Sequence, residues 1–247
     1  MIALYRLLAF LAFVGLWWIA SLVAGPNLVP TPWATAQAGW TLIQQGRVQA
    51  ALWQSLSVYL TGYGLSIVIG IPLGLLMGGI RPLGRTLDLY VNALMATPRV
   101  AFIPLIIVFL GIGFQAKVMV ILLGAVMPII INTYAGVMNA DDELIEMARS
   151  AGASRRQIFL RIMLPGAVPF IVAGLRLGAT IGLINTIVAE LYTAVTGLGG
   201  LIATYGRSFR MAQYFFVILV LAAVGVIVTQ ALRFLELRLT RWRGDRA

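Results

Sequence analysis

No charged residue occurs between Arg47 and Arg81, and this stretch limits what the chain can fold into more than any other feature. Roughly 20 apolar residues are enough for a helix to cross the hydrocarbon layer of a bilayer. The stretch therefore predicts a transmembrane helix at about 55–79. The composition agrees, since 61% of the 247 residues are hydrophobic and 11% are charged. We expect an integral membrane protein.

Other apolar runs predict further transmembrane helices. They lie at about 7–24, 88–111, 116–137, 166–190 and 211–232. The first run follows Arg6 but is longer than the roughly 7–15 residues of a signal-peptide core, so we interpret it as a retained helix. The stretch 191–212 is interrupted by glycine too often to predict a span. We expect an all-α polytopic membrane protein with about six transmembrane helices, forming one domain over residues 1–247.

Two local patterns refine this picture. Apolar residues recur at helical spacing from Trp33 to Ile43 beside glutamines, which predicts an amphipathic helix on the lipid surface. Glycines repeat every fourth residue within two of the predicted spans, which predicts faces where a neighbouring helix approaches closely. These glycines are Gly70, Gly74 and Gly78, then Gly174, Gly178 and Gly182.

The basic residues predict the orientation in the membrane. The net charge is +10, and the arginines flank the apolar runs, a placement that indicates membrane topology and not nucleic-acid binding. With a cytoplasmic N-terminus, the far side holds Arg47, Lys117, Arg207 and Arg210. The cytoplasmic side then holds Arg6, Arg81, Arg85, Arg149, Arg155, Arg156, Arg161, Arg233, Arg238, Arg241, Arg243 and Arg246. Because basic residues favour the cytoplasm, we expect both termini there.

The composition argues against several kinds of chemistry. Cysteine and histidine are absent, so we expect no disulfide, no metal site and no histidine acid–base catalysis. The one lysine, Lys117, lies between Ala116 and Val118, so there is no Walker A phosphate loop. A secondary transporter remains an alternative, but among the carboxylates only Glu190 lies in a predicted span. We expect no catalytic residue in this chain.

A polar segment at about 138–165 separates two of the predicted spans. It begins with Asp141, Asp142 and Glu143, which favour a helix N-terminus. Its apolar residues are Leu144, Ile145, Met147, Ala148 and Ala151. A short, partly apolar helix of this kind fits a groove on another protein. The alternative is a solvated loop whose arginines only follow the positive-inside rule.

The spacing within this loop resembles a known family. The loop contains Glu146, Ala148 and Gly152, then, after nine further residues, Ile162, Leu164 and Pro165. This pattern resembles the coupling loop of the permease subunits of bacterial ABC importers, with Met147 departing at the first of two alanine positions. Blocks at 28–32, 54–79, 97–113, 132–138 and 188–200 look like those of the nitrate, sulfonate, taurine and bicarbonate importers.

The resemblance implies the fold and the partners. It implies a type I ABC importer permease in the bacterial inner membrane, paired with a second, identical copy. Two cytoplasmic ATPases would bind ATP and Mg²⁺, and an extracytoplasmic binding protein would deliver the substrate. The helix around Glu143–Ser150 would be the lever that the ATPases move, Gly152 the turn after it and Pro165 the stop before the fifth span. The implied coupling residues are Glu143, Glu146, Ala148, Arg149, Gly152, Ala153 and Pro165.

Polar residues within the predicted spans are candidates for the substrate pathway. They are Arg99, Asn132, Asn185 and Glu190. Arg99 follows Pro98, a position that favours a helix break lining a cavity, and its charge would suit an oxoanion. Arg176 lies about 21 Å along one helix from Glu190, too far to pair with it, so we expect a structural role for Arg176. The alternative substrate is an uncharged pyrimidine or flavin precursor.

Overall fold

The computed structural model describes residues 2–193 and 196–239, and the chain is helical through nearly all of these ranges. Arg241, Arg243 and Arg246, which contribute to the predicted orientation, lie outside the described residues. The helices are α1 (Ile2–Ala24), α2 (Pro32–Gln44), α3 (Arg47–Gly79), α4 (Arg81–Ala96), α5 (Ile103–Leu110), α6 (Phe114–Met138), α7 (Asp142–Ser150), α8 (Arg155–Ile158), α9 (Leu164–Thr193), α10 (Gly197–Arg207) and α11 (Met211–Leu239). The predicted all-α class is confirmed.

Five helical segments of the described chain are long and apolar enough to cross a membrane, or six if one bent pair counts as a span. The five are Leu4–Ala24, Arg47–Gly79, Phe114–Met138, Arg155–Thr193 and Met211–Phe234. The number agrees with the predicted six. The stretch 191–212, which was predicted not to be a span, is not among these segments and contains α10, a helix of 11 residues. The predicted orientation of the termini stays a prediction.

The predicted span at about 88–111 is not one straight helix. Helix α4 ends at Ala96, a 3-10 turn follows at Arg99–Phe102, and the two helical parts meet at an angle of 83°. Thr97 precedes Pro98, and a residue before proline is sterically pushed out of the helical region. Its φ of −73° and ψ of 132° are extended. The helix break that Pro98 suggested is therefore present.

Contacts divide the chain into two units. One unit comprises the ranges 1–56 and 190–224, and the other comprises 57–189 and 225–247. In the first unit, the indole N–H of Trp17 donates to the Pro30 carbonyl at 2.9 Å, and its ring stacks on Phe215 with centroids 6.0 Å apart. Trp33 and Trp40 of α2 are both exposed, as expected for a helix facing lipid. The prediction of a single domain stays a prediction.

In the second unit, glycines let α6 pack closely against α3. Each position on α3 meets a residue on α6 at a constant offset, so these helices run parallel. The pairs are Gly62 with Ile121, Gly70 with Ile129, Gly74 with Thr133 and Gly78 with Val137. A Cβ atom at any of these glycines would overlap its partner. The predicted close approach along Gly70, Gly74 and Gly78 is confirmed.

Helix α9 packs on another side of α6 in the opposite direction. Gly174 contacts the helix at Asn132 and Pro128, and Gly178 contacts Ala125 and Ile129. The predicted role of the second glycine set in helix packing is confirmed here too. Lys117, which the orientation count assigned to the far side, lies near the start of α6, within the predicted fourth span, and its side chain is 3% exposed.

Candidate functional site

The segment between α6 and α9 presents a short amphipathic helix, α7. The Asp141 side chain caps this helix by accepting hydrogen bonds from the Glu143 and Leu144 amides at 3.0 and 3.3 Å. Asp142 and Glu143 in the first turn favour the positive end of the helix dipole. Ile145 is buried, whereas Leu144 and Met147 are 45% and 63% exposed. Helix α7 is therefore anchored on one side and leaves apolar side chains uncovered on the other.

The sequence-predicted coupling residues lie around this exposed side. Glu143, Glu146 and Arg149 are exposed, and Ala148 is half-buried. Gly152 is exposed and Ala153 is half-buried. The arrangement gives a partner protein access to both charges and apolar surface of one helix.

Gly152 ends α7 in a left-handed turn. Its φ is +81°, a value that residues with a side chain rarely adopt. The Gly152 amide donates to the Arg149 carbonyl at 2.9 Å, and the Ala153 amide donates to the Ala148 carbonyl at 2.9 Å. These two bonds form a Schellman motif, which satisfies carbonyl groups at the end of the helix. The direction in which the chain leaves α7 therefore depends on a glycine-specific conformation.

The prediction that the loop stops at Pro165, just before the fifth span, is wrong. Helical structure is continuous from Arg155 to Thr193, and Pro165 lies inside it. Ser154 and Gln157 form a capping box that starts the helix ten residues earlier than the proline suggested. A π-helical segment at Phe159–Met163 then precedes α9, and the Leu164 amide donates to the Phe159 carbonyl five residues back. Pro165 is the second residue of α9 and, because it has no N–H, it cannot donate to a carbonyl of the preceding turn.

Arg99 is held at the break between α4 and α5. Its Nη1 atom donates to the Gly124 carbonyl at 2.9 Å, and Nη2 donates to the Met95 carbonyl and Sδ, both at 3.2 Å. The side chain is half-buried. Within the described ranges, these acceptors are all uncharged, so no carboxylate neutralises the guanidinium.

Asn185 reaches the same residue of α6 from α9. Its side chain is 9% exposed, and its amide nitrogen has no hydrogen-bond partner among the described residues. A Cβ atom on Gly124 would overlap the Asn185 amide nitrogen, so only glycine leaves room for it. Arg99 and Asn185, two of the four pathway candidates, thus both contact Gly124.

The other two pathway candidates have different surroundings. Asn132 lies about two turns further along α6 and donates to the Pro128 carbonyl of its own helix at 2.8 Å. Glu190, in the first unit, is completely buried and accepts hydrogen bonds from the Ser55 hydroxyl and the Gly199 amide at 2.8 and 2.9 Å. Asn132 is therefore too far along α6 to contact Gly124.

Sequence reasoning missed two partners. Arg176 forms a salt bridge with Glu236 of α11, which agrees with the structural role expected for this arginine. Ser55, which bonds Glu190, had no assigned role. The Arg176 and Glu236 positions are 60 residues apart, and those of Ser55 and Glu190 are 135 apart. No signal in the sequence pairs these residues, because the partners belong to different helices.

Comparisons with known proteins identify the family. Residues 70–241 match the family described as "Binding-protein-dependent transport system inner membrane component". The chain is 33% identical over 236 residues to the taurine transport system permease protein TauC of Escherichia coli (strain K12), covering 93% of this chain and 86% of TauC. It is 35% identical over 236 residues to the putative aliphatic sulfonates transport permease protein SsuC of the same organism, covering 93% and 88%.

A solved structure shows the same fold. A chain of the MetNI methionine ABC transporter, in an inward facing conformation, superposes with a TM-score of 0.67 at 24% identity and covers 78% of this chain and 95% of that one. This similarity confirms the predicted type I importer permease fold. The chain therefore belongs to the binding-protein-dependent inner membrane components and is a multi-pass permease subunit of an ABC importer, without catalytic activity of its own.

Proposed function

We propose that two identical copies of this chain form the pathway of an ATP-driven importer for a small anion such as a sulfonate, taurine, nitrate or bicarbonate. ATPase and binding-protein partners follow from the family. The ATPases, which bind ATP with Mg²⁺, would move α7, and a binding protein on the other side would deliver the anion. Both termini would be cytoplasmic.

Helix α7 supports the coupling role. Its exposed side combines Glu146, Arg149 and the apolar side chain of Met147, and one residue, Ile145, anchors it beneath. A groove on an ATPase can bind such a helix through apolar contacts and align it through the charges. The glycine turn at Gly152 then sets how the helix connects to the long helix that begins at Arg155.

The polar side chains that contact Gly124 support the proposal that the substrate is an anion. Arg99 supplies a positive charge balanced by no carboxylate in the described part of the chain, and Asn185 supplies a buried amide donor without a partner. An intramembrane charge is costly unless it faces a cavity or a ligand. A sulfonate or another oxoanion would accept hydrogen bonds from both groups. Similarity to permeases for taurine and aliphatic sulfonates favours the same class.

Co-purification tests the importer proposal itself. We expect the tagged chain, expressed with the genes beside its own, to retain an ATPase subunit, and transport in liposomes to require ATP. Transport by the chain alone, with neither ATPase nor ATP, would contradict the proposal and support a secondary transporter.

Arg99→Gln is expected to slow anion import by roughly tenfold or more, because a hydrogen bond to a charged group contributes about 1.5–3 kcal/mol. Arg99→Lys, which keeps the charge, should retain more activity. Uptake of a sulfonate, nitrate and an uncharged pyrimidine by the complete complex is the measurement. Co-purification of the ATPase checks that assembly is intact in each variant.

Two results would overturn the anion proposal. Unchanged anion import by Arg99→Gln would remove this arginine from the pathway. Import of the neutral pyrimidine alone by the parent protein would show that the substrate is not an anion.

A further inference from the structure

The first turn of α10 is capped by side chains that are distant in the sequence. A helix begins with backbone N–H groups that have no partner within the helix. Here the Gly197 amide donates to the Gln54 side chain at 3.0 Å, the Leu198 amide to the Ser55 hydroxyl at 2.8 Å, and the Gly199 amide to a Glu190 carboxylate oxygen at 2.9 Å. The residue at the N-cap position, Thr196, makes no side-chain cap bond. Gln54, Ser55 and Glu190 therefore do together what one N-cap side chain usually does.

Ser55 connects the three bonds into a network. Its hydroxyl accepts from the Leu198 amide and lies 2.8 Å from both oxygens of the Glu190 carboxylate, to which it donates. The Ser55 hydroxyl and the Gly199 amide both donate to the carboxylate, which lies at the end of α10 where N–H groups point outward. Glu190 is 0% exposed, Leu198 1% and Ser55 6%. Because this site is so buried, water cannot form the hydrogen bond that an uncapped N–H group loses.

Glycine at position 197 makes this arrangement possible. Gly197 has a φ of +85°, and a Cβ atom there would overlap the Glu190 carboxylate. The carboxylate thus lies directly against the backbone at the start of α10. Gly197, Leu198 and Gly199 in the first turn of this 11-residue helix are all buried, so their N–H groups need protein partners.

We propose that Glu190 is a positioning residue: through Ser55, and with Gln54 beside it, its carboxylate caps α10 and holds this helix in place, and it binds neither the substrate nor a transported proton. Transport depends on Glu190 because α10 shifts when the cap is lost. The transport part of this inference rests on the proposed function, whereas the position of α10 is measured without transport.

The natural absence of cysteine makes the position of α10 measurable. Leu198→Cys places a thiol at a 1% exposed site in the first turn of α10, and labelling by N-ethylmaleimide in membranes reports the exposure of this thiol. We expect Glu190→Ala and Ser55→Ala, each added to Leu198→Cys, to raise the labelling rate about tenfold, because each leaves a buried N–H group unsatisfied. Glu190→Gln, which keeps one acceptor oxygen, should give a smaller increase.

Two controls separate this effect from general unfolding. Thr61→Ala removes a hydroxyl from the same helix as Ser55, but that hydroxyl is exposed and bonds its own helix at the Ser57 carbonyl, so labelling should not change. Ala125→Cys, at a fully buried site of α6, should stay unlabelled in every variant. If the Glu190→Ala protein does not accumulate in membranes, the labelling rates of Ser55→Ala and Glu190→Gln decide the test.

A relocated cap provides the decisive variant. Thr196→Asp places a carboxylate at the N-cap position of α10, where aspartate accepts from the first-turn N–H groups. Added to Glu190→Ala, it should restore protection of the thiol introduced by Leu198→Cys and recover transport, with a pH profile parallel to that of the parent. The double variant Glu190→Ala with Ser55→Ala should raise the labelling rate by less than the product of the two single effects, because Ser55 and Glu190 bond each other.

The contrary results are distinct. If the introduced thiol stays protected in Glu190→Ala while transport is lost, Glu190 acts on the cargo or on a proton, and the inference is overturned. Failure of Thr196→Asp to restore protection would also overturn it. Absence of ATP-driven transport in the parent would overturn the proposed function instead, and the labelling results would still decide the role of Glu190.

Discussion

Gly74→Val is expected to lower the stability of the purified protein by about 1–3 kcal/mol or more, a drop of roughly 5 °C in its melting temperature. A Cβ atom at Gly74 would lie 2.6 Å from the Thr133 Cβ and 2.8 Å from the Ile130 carbonyl oxygen. Because the second of these is a backbone atom, no side-chain rotation can relieve the overlap. Helices α3 and α6 would have to separate, which would loosen neighbouring contacts such as that of Gly78 with Val137.

Gly64→Val is the matched control on the same helix. Among the described residues, no heavy atom other than those of its chain neighbours and its own helix backbone lies within 4 Å of the position that its Cβ would occupy. Both variants exchange glycine for valine in α3, so they share the change in helix propensity and in conformational entropy. The difference between their melting temperatures therefore measures the packing of α3 on α6. Equal melting temperatures would mean that these helices do not pack as described.

Gly152→Val is expected to reduce ATPase association and transport about tenfold while leaving membrane insertion unchanged. A left-handed conformation costs a residue with a side chain roughly 1–2 kcal/mol, and β-branched residues are among the least tolerant. The variant should break the two bonds of the turn, from Gly152 to Arg149 and from Ala153 to Ala148, and redirect α7. Co-purification of the ATPase and ATP-driven uptake are the measurements.

Two controls accompany this variant. Gly152→Asn should keep most of the function, because asparagine adopts the left-handed conformation more readily than valine. Gly166→Val, at an exposed glycine whose Cβ position meets no other part of the described chain within 4 Å beyond its own helix, should behave like the parent. If Gly152→Val retains the ATPase and transports at the parent rate, the turn does not control coupling.

Glu146→Ala tests the contact surface of α7 without disturbing the turn. Glu146 is exposed and lies on the same short helix as the uncovered Met147 side chain. We expect this variant to insert normally and to lose ATPase in co-purification. If both Glu146→Ala and Gly152→Val behave like the parent, the coupling site lies elsewhere.

The long apolar runs and the short polar loop were predictable because both are local properties of the chain. Hydropathy depends on which residues follow one another, so the segments Leu4–Ala24, Phe114–Met138 and Met211–Phe234 agree with the predicted spans to within about three residues. The helices that begin at Arg47, Arg81 and Arg155 start well before the predicted positions. The helix break at Pro98 was predictable for the same reason, since proline acts on the residue directly before it. The four-residue glycine repeats indicated faces for close packing, but the pattern did not say which helix they meet.

Tertiary structure decided which polar groups meet. The charge of Arg176 pairs with Glu236, 60 residues away, and the carboxylate of Glu190 bonds Ser55, 135 residues away. Hydropathy and spacing along one helix contain no information on such pairs, because the partners belong to different helices whose packing sets their distance. The position of Glu190 in an apolar run therefore predicts a place on the substrate pathway. In the fold, its carboxylate is buried against the backbone of α10. The chemistry of a buried charge depends on its neighbours, and packing alone determines those neighbours.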